Sequence, residues 1–286
     1  ANAVTEVAGI INGTGNFILT EMSTKGRAFD DVLSEAQALG YAEADPTFDI
    51  DGTDAAHKLV ILASLAFGIP LSIDAPTKQG IQEVAPEDLE HAASMGYRVK
   101  HLGIARRTEQ GIEMRVHPTL IPERKQIATV DGVLNAVMIS GDAVGEVVLV
   151  GPGAGGAATA SSVCADLVDI ARNPAGLGPA LGVAAVNLQA PTWVPAEEIA
   201  SEWYVRVTAA DQSGVVSDIT QMLASRDISI ESIIEKPSAP ESDKVAVVLL
   251  THVASQSVMT GALNEITALD GVETDAALMR VEAFDR

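Results

Sequence analysis

The chain reads as an α+β protein in two parts, and three features of the sequence predict this. Helical spacing dominates as far as Ser94, strand-like alternation takes over between Tyr97 and Val150, and a separate β-α-β-β-α-β order closes the chain after a stretch rich in Pro and Gly. With 286 residues, 47% of them hydrophobic, there is material for two cores. A net charge of −21 argues against nucleic acid or an anionic membrane as partner, since both call for clustered Lys and Arg. The single cysteine, Cys164, excludes an intrachain disulfide and a cysteine-rich metal site; its place on a helical pattern predicts a small core residue. Leu59 to Leu71, the most apolar stretch, is broken by Ser64, Gly68 and Pro70 and falls short of the about 20 residues a bilayer requires. No signal peptide is visible. The expectation is a soluble, cytoplasmic protein that uses no metal. The opening, Ala1 with no initiator Met, followed at once by an interior-type strand, reads as the start of a fragment.

Residues Glu6 to Asn12 predict a strand, and Gly13-Thr14-Gly15-Asn16 a turn feeding a helix to about Lys25. Val32, Leu33, Ala36 and Leu39 repeat at helical spacing over 29–39, and Gly40 supplies the stop. Thr53 to Phe67 is apolar at nearly every position, which predicts a helix buried on most of its circumference. After a Pro-rich loop from Ile69, a short helix is expected over 86–94, with His91 solvated or capping rather than ligating. Strands are expected over 97–105, 112–118, 127–128, 133–140 and 144–150.

The loop from Ala36 to Lys58 carries the chemistry. It packs Glu43, Asp45, Asp49, Asp51 and Asp54 ahead of one cation, Lys58. Asp54 and Lys58 stand four apart, so both lie on one helix face within reach of each other. A surface ion pair is the plain reading of such spacing, but the apolar helix and the acidic loop favour a site instead. A calcium loop fails, because setting Gly52 at its sixth position puts Thr47 at the first ligand and Lys58 where a bidentate Glu belongs. A lysine held among carboxylates can hold or move a proton on a bound substrate.

The spacing of Ala36, Gly40-Tyr41-Ala42, Asp45-Pro46, Asp49-Ile50, Gly52, Asp54 and Lys58 resembles the signature of homoserine dehydrogenase. Upstream, the run from Ile11 to Leu19 is similar to that family's second conserved stretch, although Gly15 stands where a larger residue is expected. The resemblance implies a sheet-and-helix catalytic domain over 1–150 that interconverts L-homoserine and L-aspartate 4-semialdehyde with NAD or NADP, on the route to threonine, methionine and isoleucine. It implies Lys58 at the reacting oxygen, Glu43 and Asp54 on the substrate's amino and hydroxyl groups, Asp49 orienting Lys58, and Gly13 and Thr14 lining the substrate. Gly40, Gly153 and Gly155 would face the cofactor.

Val144 to Val150 runs into Gly151-Pro152-Gly153-Ala154-Gly155-Gly156 and a helix over 158–171, matching G-x-G-x-x-G. As a free-standing dinucleotide fingerprint this is weak, since Asp166 and Asp169 fall inside the helix and no acidic residue follows on a second strand. The resemblance reads 151–172 as the chain's return to a nucleotide-binding domain whose bulk, with a further lysine and a sodium site, precedes residue 1. The fragment alone is therefore expected to be inactive.

Residues 173–201 read as a linker, and 202–286 as a ferredoxin-like βαββαβ domain: strands over 203–209, 230–236, 244–252 and 272–281, helices over 214–225 and 255–268. The loop Asp211-Gln212-Ser213-Gly214 resembles the ligand loop of the amino-acid-sensing ACT domain, with Ser213 in place of the usual Pro. This implies a regulatory ligand at Asp211 and Gly214, with threonine the candidate effector, and a homodimer or homotetramer. The competing reading is a non-catalytic amino-acid sensor acting through the C-terminal domain.

Overall fold

The computed structural model describes residues 2–172, 187–212, 214–237 and 243–285; most of the expected linker and Ser213 lie outside them. Backbone contacts divide the chain into two compact units, the first comprising Ala1–Gln82, Lys100–His117 and Gln126–Val194, the second Glu83–Val99, Pro118–Lys125 and Pro195–Arg286.

The first unit opens with strand β1, Val4–Ile10, and helix α1, Gly13–Lys25. The expected turn at Gly13–Asn16 is therefore the first turn of the helix. Asn12 is the reason: its side chain accepts from the Gly15 N–H at 2.7 Å, which starts the helix two residues after the strand ends. Helices α2, Phe29–Ala38, α3, Thr47–Ile50, and α4, Thr53–Phe67, follow; α3 is a single turn hidden in the acidic loop. Strands β3, Tyr97–Arg107, β4, Ile112–Pro122, β5, Leu134–Gly141, and β6, Gly145–Pro152, supply the sheet, in the order β6-β5-β1-β3-β4. The two-residue β2, Thr77–Lys78, pairs parallel with β4. Residues 127–128 are not a strand but part of a 3-10 turn, Gln126–Thr129, since two apolar residues give a core contact without a ladder to join.

The core of this unit sets Ala55, Ala56, Leu59, Val60, Ala63 and Phe67 of α4 against Ile11, Ala105, Ile112, Met114 and Val116. Gly103 allows that approach, because a Cβ there would meet Ile11 at 2.9 Å and Leu59 at 3.5 Å. Burial of α4 is one-sided rather than circumferential: Ile61 and Leu65 are 52% and 53% exposed on the face away from the sheet. Helix α6, Gly156–Arg172, buries none of its side chains among the described residues, and Cys164 on it is exposed rather than a core residue.

In the second unit, helix α5 is Pro86–Ser94 and carries His91, which is buried rather than solvated. Strands β7, Ala200–Ala210, β8, Ile230–Pro237, β9, Lys244–Ser255, and β10, Val272–Val281, alternate with helices α7, Val215–Ser225, and α8, Gln256–Ile266. Their order, β10-β7-β9-β8 with antiparallel pairs throughout, is the ferredoxin-like arrangement. Ile219 and Leu223 of α7 and Met259, Ala262 and Ile266 of α8 pack on Val205, Val207, Val247 and Leu249 of the strands. Among the described residues no helix is long and apolar enough to cross a membrane.

Candidate active site

Helix α4 begins at Gly52, whose φ of 85° is a left-handed conformation that few side chains tolerate. Glycine brings no capping side chain, and Asp51 takes that part. Its carboxylate accepts from the Thr53 N–H and hydroxyl, both at 2.8 Å, and from Lys78 at 2.7 Å. Burial alone would push Asp51 up, but the bonds from Lys78 and Thr53 outweigh it and hold its carboxyl below the usual range. Asp45 is likewise spent on structure, accepting from the Thr47 N–H at 3.1 Å. Of the five acidic residues in the loop, Glu43, Asp49 and Asp54 remain, and these three line one cleft with Lys58.

The cleft has a volume of about 530 Å3. The helical spacing delivers the expected pair: Lys58 Nζ donates to Asp54 Oδ2 at 2.7 Å and to the Ile11 carbonyl at 3.1 Å. Asp49 makes no direct hydrogen bond to Lys58. Its carboxylate accepts from Asn12 instead, and it reaches the lysine only through space. Desolvation raises the Asp49 pKa, with Asp54 and Glu43 pushing the same way and Asn12 and Lys58 opposing. Glu43 is exposed, on a loop tied down by Gln37 Nε2, which donates to its carbonyl at 3.0 Å.

Gly13 and Thr14 stand at the mouth of α1 in the same cleft, and Thr14 Oγ1 donates to the Tyr41 carbonyl at 2.6 Å. Gly40 and Tyr41 also line the cleft, as do Pro152, Gly153, Ala154 and Gly155, where β6 leads into α6. The structure thus brings together Gly13, Thr14, Gly40, Glu43, Asp49, Asp54, Lys58, Gly153 and Gly155. Asp211 and Gly214 belong to the second unit.

Asn12, Val133 and Asn135 are among the cleft residues to which the sequence reading gave no site role. Asn12 bridges Asp49 and Asp54, while Val133 and Asn135 close the wall beside Gly13 and Gly153. Val133 and Asn135 are brought there by Asn16, whose Nδ2 donates to the carbonyls of Val130, Gly132 and Leu134 at 3.0 to 3.1 Å. Lys100 adds a bond to the Val130 carbonyl at 2.7 Å and an ion pair with Asp131. The fit is close: a Cβ on Gly13 would lie 2.9 Å from the Val133 carbonyl oxygen, and one on Gly153 would strike the Asn135 amide.

Three carboxylates around one ammonium give a cleft that attracts an amine and can still present a proton to an oxygen. Residues 1–168 match the family model described as homoserine dehydrogenase. The chain belongs to the homoserine dehydrogenase family. Residues 203–271 match the ACT domain. The homoserine dehydrogenase of Pseudomonas aeruginosa is 50% identical across 100% of this chain and 67% of its own length. A crystal structure of a homoserine dehydrogenase from Thiobacillus denitrificans superposes with a TM-score of 0.92 at 49% identity, covering 99% of this chain and 65% of that one. A hyperthermophilic archaeal homoserine dehydrogenase mutant, solved in complex with NADPH, has a TM-score of 0.51 at 32% identity over 60% of this chain and 49% of its own. The chain therefore spans about two thirds of the length of the homoserine dehydrogenases most like it among these.

In the ACT domain, Gly214 precedes α7 with a φ of 106° and open space around the Cβ position. Asp211 is exposed, its N–H donated to the Asp243 carbonyl at 2.8 Å.

Proposed function

We propose that this chain is the substrate-binding and regulatory portion of an oxidoreductase that interconverts L-homoserine and L-aspartate 4-semialdehyde, on the route to threonine, methionine and isoleucine. The observation that carries the reading is the convergence of Lys58, Asp54, Asp49 and Glu43 with Gly13 and Thr14 in one cleft. Lys58 protonates the carbonyl oxygen during reduction and takes the proton back during oxidation, or stabilises the charge there. Glu43 and Asp54 hold the substrate's amino and hydroxyl groups, and Asp49 orients Lys58 through space.

The glycines lining the cleft fit a nicotinamide cofactor, because nothing lies within 4 Å of a Cβ position at Gly155 or Gly40 and the backbone is open to a flat ring. NAD or NADP, when bound, supplies or accepts the hydride at the substrate carbon. Gly40, Gly153 and Gly155 would hold that cofactor. Because the chain covers about two thirds of the length of these relatives, it is proposed not to turn over on its own. Threonine is the proposed effector, bound beside Asp211 and Gly214 at the start of α7, with two or four copies assembled.

The test is nicotinamide absorbance with homoserine and each cofactor in turn, using the full-length protein and its Lys58→Ala variant. Turnover abolished by the substitution supports the reading. A full-length protein without turnover, yet binding threonine, is an amino-acid sensor built on the same frame.

A further inference from the structure

Asn12 ends β1, caps α1 and faces the cleft, and its side chain is committed at every atom that can bond. Oδ1 accepts from the Gly15 N–H at 2.7 Å, which fixes the amide so that it cannot turn over. Both protons of Nδ2 then point at carboxylates, one at Asp49 Oδ1 and one at Asp54 Oδ2, each at 2.8 Å. The same Asp54 Oδ2 accepts from Lys58 at 2.7 Å. The residue is 6% exposed, so water does not compete for these bonds.

We infer that Asn12 is a positioning residue for the proposed reaction: its amide pins the carboxylates of Asp49 and Asp54 together and thereby fixes where Lys58 presents its proton. This rests on the catalytic reading of the cleft. A helix cap alone does not explain the asparagine, since Ser or Asp caps equally well. What only an amide provides is one acceptor for the helix together with two donors for the acids. The need for the donors is electrostatic. Asp49 faces Asp54 and Lys58 from α4, Glu43 from the loop and Asn12 from the start of α1; two of the three charged groups are negative. Removing the amide leaves Lys58 as the one remaining group that favours the ionised acid.

Two variants separate this from a structural cap. Asn12→Ser keeps an acceptor for the Gly15 N–H and replaces the two N–H donors with one shorter O–H, which cannot hold both acids, without adding charge; Asn12→Asp also keeps the volume, removes both donors and sets a third carboxylate against the pair. In the full-length protein, the acid limb of the kcat/KM profile for homoserine should move up by about one pH unit in Asn12→Ser and further in Asn12→Asp. The melting temperature of Asn12→Ser should remain near the parent's at neutral pH, whereas Asn12→Asp, with a carboxylate at a buried position beside two others, should melt lower. If Lys58→Ala loses turnover while both Asn12 variants keep the parent's acid limb, the inference fails and the reading beneath it survives. If Lys58→Ala retains turnover, that reading falls and the inference with it.

Discussion

Lys58 Nζ donates to Asp54 Oδ2 at 2.7 Å across one turn of α4, while the lysine side chain remains 48% exposed on the cleft side. An ion pair so open to water contributes little to folding, at most about 1 kcal/mol. Its value lies in the placement of an ammonium where a substrate oxygen can reach it. Lys58→Ala should therefore cost at least about 100-fold in kcat in the full-length protein. Urea unfolding should show a stability change below about 1 kcal/mol. A large loss of stability with little loss of kcat would make the pair a structural one.

His101 predicts an acid weakness. Its Nε2 lies 2.9 Å from the Gln79 carbonyl, which can only accept, so Nε2 carries the proton and the buried Nδ1 is the bare nitrogen. Burial lowers its pKa to about 4, against a bond to Gln79 and the charge of Asp51 that push it up. The unfolded chain, with an ordinary pKa near 6.5, binds the proton first. Stability should fall as the pH drops from about 6.5 to about 4 and level off below, by a total of about 3 kcal/mol from this residue. His91, also held low chiefly by burial, works in the same direction. Urea midpoints against pH should steepen over this window for the parent and flatten for His101→Gln, whose amide can still donate to Gln79.

Within the second unit, Asp88 is fully buried and accepts from Tyr204 Oη at 2.8 Å and from Arg206 Nε at 2.6 Å. The triad ties α5 to β7. Arg206→Met keeps the volume but strands a buried carboxylate, and should destabilise by about 3–5 kcal/mol. Adding Asp88→Asn should recover part of that loss, because the charge that lacked a partner is gone. Far-UV circular dichroism in urea on the single and double variants measures both.

The acidic loop was legible because its residue types sit at fixed offsets ahead of an apolar helix, and periodicity matched α4 and β10 at both ends. Contacts that side chains make across long separations were not legible. Asn12 reads as a turn residue until Asp49 and Asp54 fold over it, and Asn135 is an unremarkable strand residue until Asn16 draws the preceding loop to α1. Apolar content also misled where partners decide burial: Cys164 sits on an apolar helix yet is exposed, and the outer face of α4 is open. His91 shows the converse, a polar residue buried by the packing of α5.

The regulatory proposal turns on the choice of variant. Gly214→Asp is the obvious block to an amino-acid carboxylate at the start of α7, but the φ of 106° there strains any side chain, and lost binding could then follow from a distorted loop. Asp211 offers a cleaner test, since its part in the loop's backbone is an N–H donated to the Asp243 carbonyl, which Asp211→Ala keeps. Threonine should give binding heat in the parent that falls at least about tenfold in affinity in Asp211→Ala, equivalent to one lost charge-assisted contact. Thermal unfolding of the two should coincide within about 2 °C, as expected of an exposed substitution. Binding unchanged in Asp211→Ala would move the effector site off this loop, and no heat from the parent would remove threonine as the ligand.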